Sequence, residues 1–535
     1  MRSSGETTDT GLTGTRHLIR LILRRDRIRL PIWILGLTTV IWFSASAVQS
    51  VYNTPAKIAA YGATVANSAV GKLFAGIPYD VDTIGGITAY EVTATAGIGA
   101  AMMVTFLVVR HTRGEEEAYT AELLRSTVLG RHAAIVATLT VAAGASLVLG
   151  ALDALALAAT GLPWTDTAAH GLALAGVGLS FTAVAVAAAQ VTASARGALG
   201  LSIAAVLGLF VLRGWGAAVD NWLVWTAPFG WQEGVRPFGE TRWWLLAPFV
   251  VFTAVMLALA SWLAANRDFG AGLLPPRAGR PRATGTLMHP VGLALRQQRG
   301  QLLGWAGGVV VLGATFGAFA TEVIELVEAN PEIGEVLGGA DDVVRGYFAY
   351  MINFMAVVIT GYAISSALRL RHEESAGHAE ITLATGISRT RWALSWLCAT
   401  VIGTLTVLLL MGLSSGAVDV LVTGEPDLFW PLVWASLATA PAVLVLVGVT
   451  VLLHGVAPRM VLLAWAPFAF ALVYTYLGAL LDFPDWAAAL SPFWHLPQLP
   501  VEDFDATPGL VLLLVTGLAV ALGIWGLRRR DLGTG

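Results

Sequence analysis

Twelve stretches of this 535-residue chain are apolar over about the length of a membrane-crossing helix. A bilayer core about 30 Å thick needs about 20 such residues in a helix. The stretches lie near 30–50, 88–109, 133–157, 169–193, 198–216 and 244–265, then near 301–320, 347–368, 393–418, 431–454, 460–480 and 508–527. The narrowest gap is SARG at 194–197. Only 13% of the residues are charged, against roughly 25% in soluble domains. That composition cannot supply a soluble protein's surface. The chain reads as an all-α integral membrane protein with about twelve transmembrane helices.

Basic residues set the expected orientation. With the N-terminus inside, all but six of the 32 Lys and Arg fall on the cytoplasmic side. The exceptions are Lys57, Lys72, Arg236, Arg242 and Arg345 outside, and Arg213 within a span. The positive-inside rule then predicts that both termini are cytoplasmic. Residues 1–14 are polar, and no conventional signal peptide opens the chain, so the first apolar run is expected to stay as a span. The net charge of −3 argues against nucleic-acid binding.

The two halves repeat. RDFGAG (267–272) closes the first six runs and RDLGTG (530–535) closes the second six. APFGW (227–231) and SPFWH (491–495) precede the last run of each half. The predicted organisation is a tail and amphipathic interfacial helix at 1–29, a six-span half at 30–266, a cytoplasmic linker with a second interfacial helix at 267–300, and a second six-span half at 301–535. Two tandem six-helix halves in the same orientation suggest a pathway between them. In the N-terminal segment, Arg16, Arg20, Arg24 and Arg27 fall on one helix face and Leu18 and Ile22 supply apolar contact. The second-half counterpart carries only Arg296 and Arg299.

A charged phrase also occurs twice. RGEEEAYTAELLRSTVLGR (113–131) and RHEESAGHAEITLATGISR (371–389) match without gaps at both end Arg, three Glu, two Ala and a Thr. Each falls between the second and third run of its half. Glu115 and Glu122 are seven apart, as are Glu373 and Glu380, so each pair shares a helix face. Loops beside a membrane are usually basic. An acidic centre flanked by Arg points to a basic partner docking there; a solvated turn kept by duplication is the plainer alternative.

Other charges fall in or at the ends of the runs. Glu91, Asp153 and Arg213 are expected to mark a pathway or a charge pair, and Glu91 and Arg213 could meet. Trp222, Trp225, Trp231, Trp243 and Trp244 crowd the segment between runs five and six, and Trp486 and Trp494 recur later. They suit an interfacial aromatic belt. The alternative is an outer gate that folds back, with helix breaks at Pro228-Phe229 and Pro492-Phe493.

Several chemistries are missing. The single Cys398 excludes an internal disulfide and a Cys-rich zinc site. VGKL (70–73) is not a phosphate loop, because Ala66 and Leu73 replace its first Gly and its Ser/Thr. There is no HExxH, and the nine His show no metal-ligand spacing. No metal, cofactor or catalytic residue is expected in this chain.

Six spans per half, an interfacial helix before the first, and a short Glu-bearing segment between the second and third resemble an ABC-2-type exporter permease. The fused form, with EE…ELL…R in one half and EE…EI…R in the other, resembles the actinobacterial polyketide-antibiotic exporter permeases. The resemblance implies a permease in the bacterial cytoplasmic membrane that exports a lipophilic or amphipathic molecule. It implies two copies of a separate ATPase subunit, which would bind the ATP and Mg. The coupling positions carried over are Glu115, Glu116, Glu122 and Arg131, with Glu373, Glu374, Glu380 and Arg389. Thr382 stands where Leu124 does and Gly377 where Tyr119 does, so the two docking sites are expected to differ. A proton-coupled secondary transporter is the rival reading, with Glu91 and Asp153 as proton carriers. A non-transporting assembly factor or sensor is a third.

Overall fold

The computed structural model describes residues 11–118, 129–130, 132–266, 272–273, 282–320, 343–481 and 484–531. Among the described residues, twelve helices are long and apolar enough to cross a membrane, and there is no strand. The chain divides into two compact units, Met1–Ala278 and Gly279–Gly535.

The first unit holds span 1 (Arg29–Val51), span 2 (Ile84–His111), span 3 (Ala133–Ala159), span 4 (Trp164–Val191), span 5 (Ala195–Ala218) and span 6 (Leu246–Ala265). The second holds span 7 (Pro290–Ala318), span 8 (Val343–Ala367) and span 9 (Arg389–Thr423). Span 10 is built from Phe429–Ala438 and Ala440–Val456; span 11 is Trp465–Leu481 and span 12 Ala506–Arg529. The break in span 10 falls just before Pro441, which has no N–H to continue the ladder.

Short polar residues set the boundaries. The SARG gap is a real break, because Ser194 is extended and its hydroxyl accepts from Gly197 N at 3.1 Å. Thr83 starts span 2 and Ser388 starts span 9 in the same way. Each cap satisfies one of the N–H groups that a helix start leaves without a partner.

The packing scheme recurs from one unit to the next. Spans 1 and 3 pair in the first unit, and spans 7 and 9 in the second. The same holds for 2 with 4 and 8 with 10, for 2 with 5 and 8 with 11, and for 4 with 6 and 10 with 12. Span 4 is the hub of the first unit, touching spans 2, 3, 5 and 6. Small residues allow the closest crossings. A Cβ on Gly150 of span 3 would strike the carbonyl of Gly171 on span 4, and one on Gly455 of span 10 would strike that of Gly523 on span 12. Large apolar side chains such as Ile32, Val250, Leu514 and Leu518 are exposed on the outer faces of their spans, as helices bathed in lipid require.

The N-terminal helix, Thr15–Arg25, buries Leu18 and Ile22 against Ala133 and Ala137 at the start of span 3. Arg16, Arg20, Arg24 and Arg27 stay exposed. Its counterpart differs from expectation. Residues 290–300, read from sequence as part of a separate interfacial helix, are the first turns of span 7, which runs unbroken from Pro290 to Ala318. In the first half, a turn at Asp26 interrupts the chain between Arg25 and Arg29, where Asp26 is held by side chains of span 2.

The crossing glycines give a stability test. Gly455→Ala places a methyl on a backbone carbonyl and is expected to cost about 1–3 kcal/mol. Gly304→Ala on span 7 meets nothing within 4 Å and is expected to cost nothing, since Ala is the better helix former. Thermal unfolding of both variants in detergent checks the pair. Equal midpoints would show that the close crossing does not limit stability.

Candidate functional site

The first charged phrase continues directly from span 2. Thr112 breaks the helix and Arg113–Glu117 forms a short one. Three consecutive glutamates then tie it to three different elements. Glu115 meets Arg25 of the N-terminal helix at 2.7 Å. Glu116 meets the buried Arg113 at 2.6 Å, and Arg113 Nε donates to the carbonyl of Ala189 in the last turn of span 4 at 2.5 Å. The Glu117 carboxylate accepts from the backbone N–H of Ala195, the first residue of span 5, at 3.0 Å. A carboxylate at a helix N-terminus and a guanidinium at a helix C-terminal carbonyl both complement groups those ends leave open.

Behind them lies Asp26, which is buried. Its carboxylate pairs with Arg110 and lies 2.5 Å from His111 Nε2. The other nitrogen of His111 is 3.1 Å from Glu115. Glu122 and Arg131 lie outside the described residues.

The second phrase is described throughout. It forms two short helices, Arg369–Ser375 and His378–Leu383. They turn at Gly377, whose φ of +74° suits glycine. Glu374 is buried and takes a bidentate pair from Arg530, at 2.5 and 2.6 Å. His454 Nε2 of span 10 lies 3.4 Å from the same carboxylate. Arg389 donates to the Arg530 carbonyl at 2.7 Å. Glu373 faces His378 at 3.3 Å. Glu380 is exposed at the tip, beside Ile381, which is 71% exposed.

The phrases therefore share an internal Arg–Glu pair three residues apart, Arg113–Glu116 and Arg371–Glu374, the second looser at 4.0 Å. They are anchored differently: the first to spans 4 and 5, the second to spans 10 and 12. Of the second phrase's acidic positions, Glu373 and Glu374 turn inward and Glu380 faces outward.

The charges expected within spans all find partners, but not each other. Glu91 accepts from the Tyr61 hydroxyl. Asp153 lies 2.7 Å from His170 Nδ1, and His170 Nε2 lies 3.0 Å from the Thr93 hydroxyl. Arg213 pairs with Glu233, not with Glu91, at 2.9 Å. Its other amino group donates to Phe74 O at 3.1 Å, and its guanidinium stacks 4.3 Å from the Phe210 ring centre. Asp419, buried in span 9, was not anticipated from the sequence. Neither were Asp26, His111, His170, Glu233, His454 and Arg530. Two of these carried a signal: Asp26 is the one acid in the basic run RRDRIR, and Arg530 opens the repeated closing motif RDLGTG.

The segments before the last span of each unit also separate into parts. Trp222, Trp225, Trp244, Trp486 and Trp494 are exposed, as interfacial rings would be. Pro228–Gly234 is a short helix that folds back into its own bundle. It buries Phe229 between Phe181 and Phe210. Pro492–His495 is a single 3-10 turn with Phe493 buried.

Two sets of six similarly packed membrane-crossing helices, each with a charged loop between its second and third, define a multi-pass membrane protein built of two alike units. A family model described as the C-terminal domain of the multidrug efflux system permease Rv1217c matches residues 287–528. The multidrug efflux system permease protein Rv1217c of Mycobacterium tuberculosis (strain ATCC 25618 / H37Rv) is 36% identical over 528 residues, covering 98% of this chain and 96% of the relative. The chain belongs to this family of ABC-type exporter permeases, multi-pass proteins of the cell membrane.

Burial pushes the Glu233 carboxyl up to about 7, with Arg213 and the N–H of Ile77 offsetting only part of the shift. A carboxyl raised in the folded state favours folding most at low pH. That contribution falls as pH rises from the ordinary carboxylate range through about 7. Unfolding midpoints in detergent between pH 5.5 and 8.5 are expected to fall with pH, by roughly 1–3 kcal/mol in stability, and to fall less in Glu233→Gln. An identical slope in the variant would assign the dependence to other groups.

Proposed function

We propose that this chain is the permease subunit of an ATP-driven multidrug exporter, powered by two copies of a separate ATPase that dock on the two charged loops. The family supports the permease role. The observation that carries the docking is the build of the second loop, whose tip presents Glu380 and Ile381 while its base is locked by Glu374, Arg530 and Arg389. An exposed acid beside an exposed aliphatic residue suits a groove that is basic at its rim and apolar at its centre. A rigid base is what a lever requires.

On this reading the loops face the cytoplasm, in line with the arginine distribution, and ATP and Mg are held by the partner. Closure of the ATPase dimer pushes the first loop against the ends of spans 4 and 5, and the second against spans 10 and 12. A lipophilic or amphipathic drug is then released on the opposite side. Glu115, Glu116, Glu373 and Glu374 serve as anchors rather than as contacts to the ATPase. The proton-coupled reading is weaker, because Glu91 and Asp153 are each held by a neighbouring side chain.

The test is co-purification with the candidate ATPase from detergent. Glu380→Arg combined with Glu122→Arg is expected to lower recovery of the ATPase at least tenfold while the permease elutes as before. Glu374→Ala is expected to act differently: it strands Arg530 and costs roughly 3 kcal/mol of stability. Recovery unchanged by both charge reversals would end the docking assignment. Export abolished by an uncoupler while ATP stays intact would favour the secondary-transporter reading.

A further inference from the structure

The second unit contains two adjoining cavities that the coupling scheme does not use. One, of about 220 Å³, is apolar, walled by Ile352, Ala435, Pro441, Phe493, Leu510 and Leu513. The other, of about 610 Å³, is edged by Tyr350, Tyr474, Trp494, Glu502, Asp503 and Asp505. Both are lined by Asn353, Phe493, Gln498 and Asp505. At that junction the buried Oδ1 of Asn353 makes no hydrogen bond.

We propose that these chambers form a binding site for a lipophilic organic cation. The assignment deepens the exporter reading, on which its physiological meaning rests. Three observations agree on the ligand's chemistry. The inner chamber offers carbon surface and little else, so part of the ligand must be apolar. The outer chamber carries three carboxylates, and none of its described lining residues is Lys or Arg. Tyr350, Tyr474 and Trp494 add ring faces of the kind that attract organic cations.

Two of the three acids are held by backbone N–H groups. Glu502 accepts from Gln498 N at 2.8 Å. Asp505 caps span 12 by accepting from Thr507 N at 2.8 Å, which holds its carboxyl below the ordinary range. An anion would meet this rim unfavourably. A small hydrated metal ion would gain nothing from the apolar chamber.

Among the described residues, the first unit is packed at the corresponding place. Its corresponding segment is filled by Phe229 and by the Arg213–Glu233 pair, and the cavity beside Glu233 is about 20 Å³. The two units therefore differ at this place.

The probe is labelled tetraphenylphosphonium, with tetraphenylborate as a competitor of nearly the same shape and opposite charge. Binding is measured on the purified full chain in detergent, without ATPase. Saturable binding of the phosphonium is expected, weakening as salt rises. Glu502→Gln with Asp503→Asn is expected to weaken it at least tenfold while keeping the acceptor oxygens. Gly509→Leu fills the inner chamber, and its Cβ meets only Pro441 at 3.5 Å; the same loss is expected with an unchanged elution profile. Tetraphenylborate is expected not to displace the cation. No saturable binding, wild-type affinity in both variants, or equal displacement by the borate would overturn the proposal. Because no ATPase is present, failure here leaves the docking assignment standing, and failure of docking leaves this site standing.

Discussion

A hydrocarbon core offers no water to a polar group, and the rest of this structure follows from that. Backbone groups are satisfied inside helices. Charged side chains inside a bundle must then find partners of their own or go unpaid for their lost hydration. Asp153 has His170, and Arg213 has Glu233. Asp26 has Arg110 and His111. These contacts bring together side chains far apart in the sequence, so they also fix how the helices sit against each other within a unit.

The same constraint explains the form of the loops. Each one leaves the membrane between two helices whose ends still carry open carbonyls or N–H groups. Arg113 closes on the end of span 4 and Glu117 on the start of span 5. Arg530, just beyond span 12, closes on Glu374. A bidentate guanidinium–carboxylate pair resists both translation and rotation. A loop held in this way passes a push to the helices behind it, where a solvated turn would absorb it. The first two repeated glutamates of each phrase are thus explained by their partners within the chain, and in the second phrase Glu380 stays exposed.

Much of this was legible in the sequence. Twelve apolar runs gave twelve helices, because length and hydropathy alone decide membrane crossing. The repeated phrase and the closing RDFGAG and RDLGTG marked the duplication. The inward turn of Glu373 and Glu374 was not legible. Their helix spacing fits an exposed face equally well, and Arg530 lies 156 residues from Glu374. Arg213 was visible as a costly charge, but its partner Glu233 sits in a segment whose tryptophans drew the reading towards an aromatic belt. The unbroken start of span 7 was missed by analogy with the first half. That half breaks at Asp26, and the corresponding stretch of span 7 has no acid to place there.

A permease made as one fused chain can let its halves diverge, which two copies of a half-length chain cannot do. The divergence here is physical and local. The segment before span 6 fills its interior with Phe229 and a buried ion pair; the one before span 12 leaves adjoining chambers with an acidic rim. The loops diverge too, since Gly377 permits a turn at the place where Tyr119 stands in the first phrase. Loops with different anchors load different helices: the first bears on spans 4 and 5, the second on spans 10 and 12.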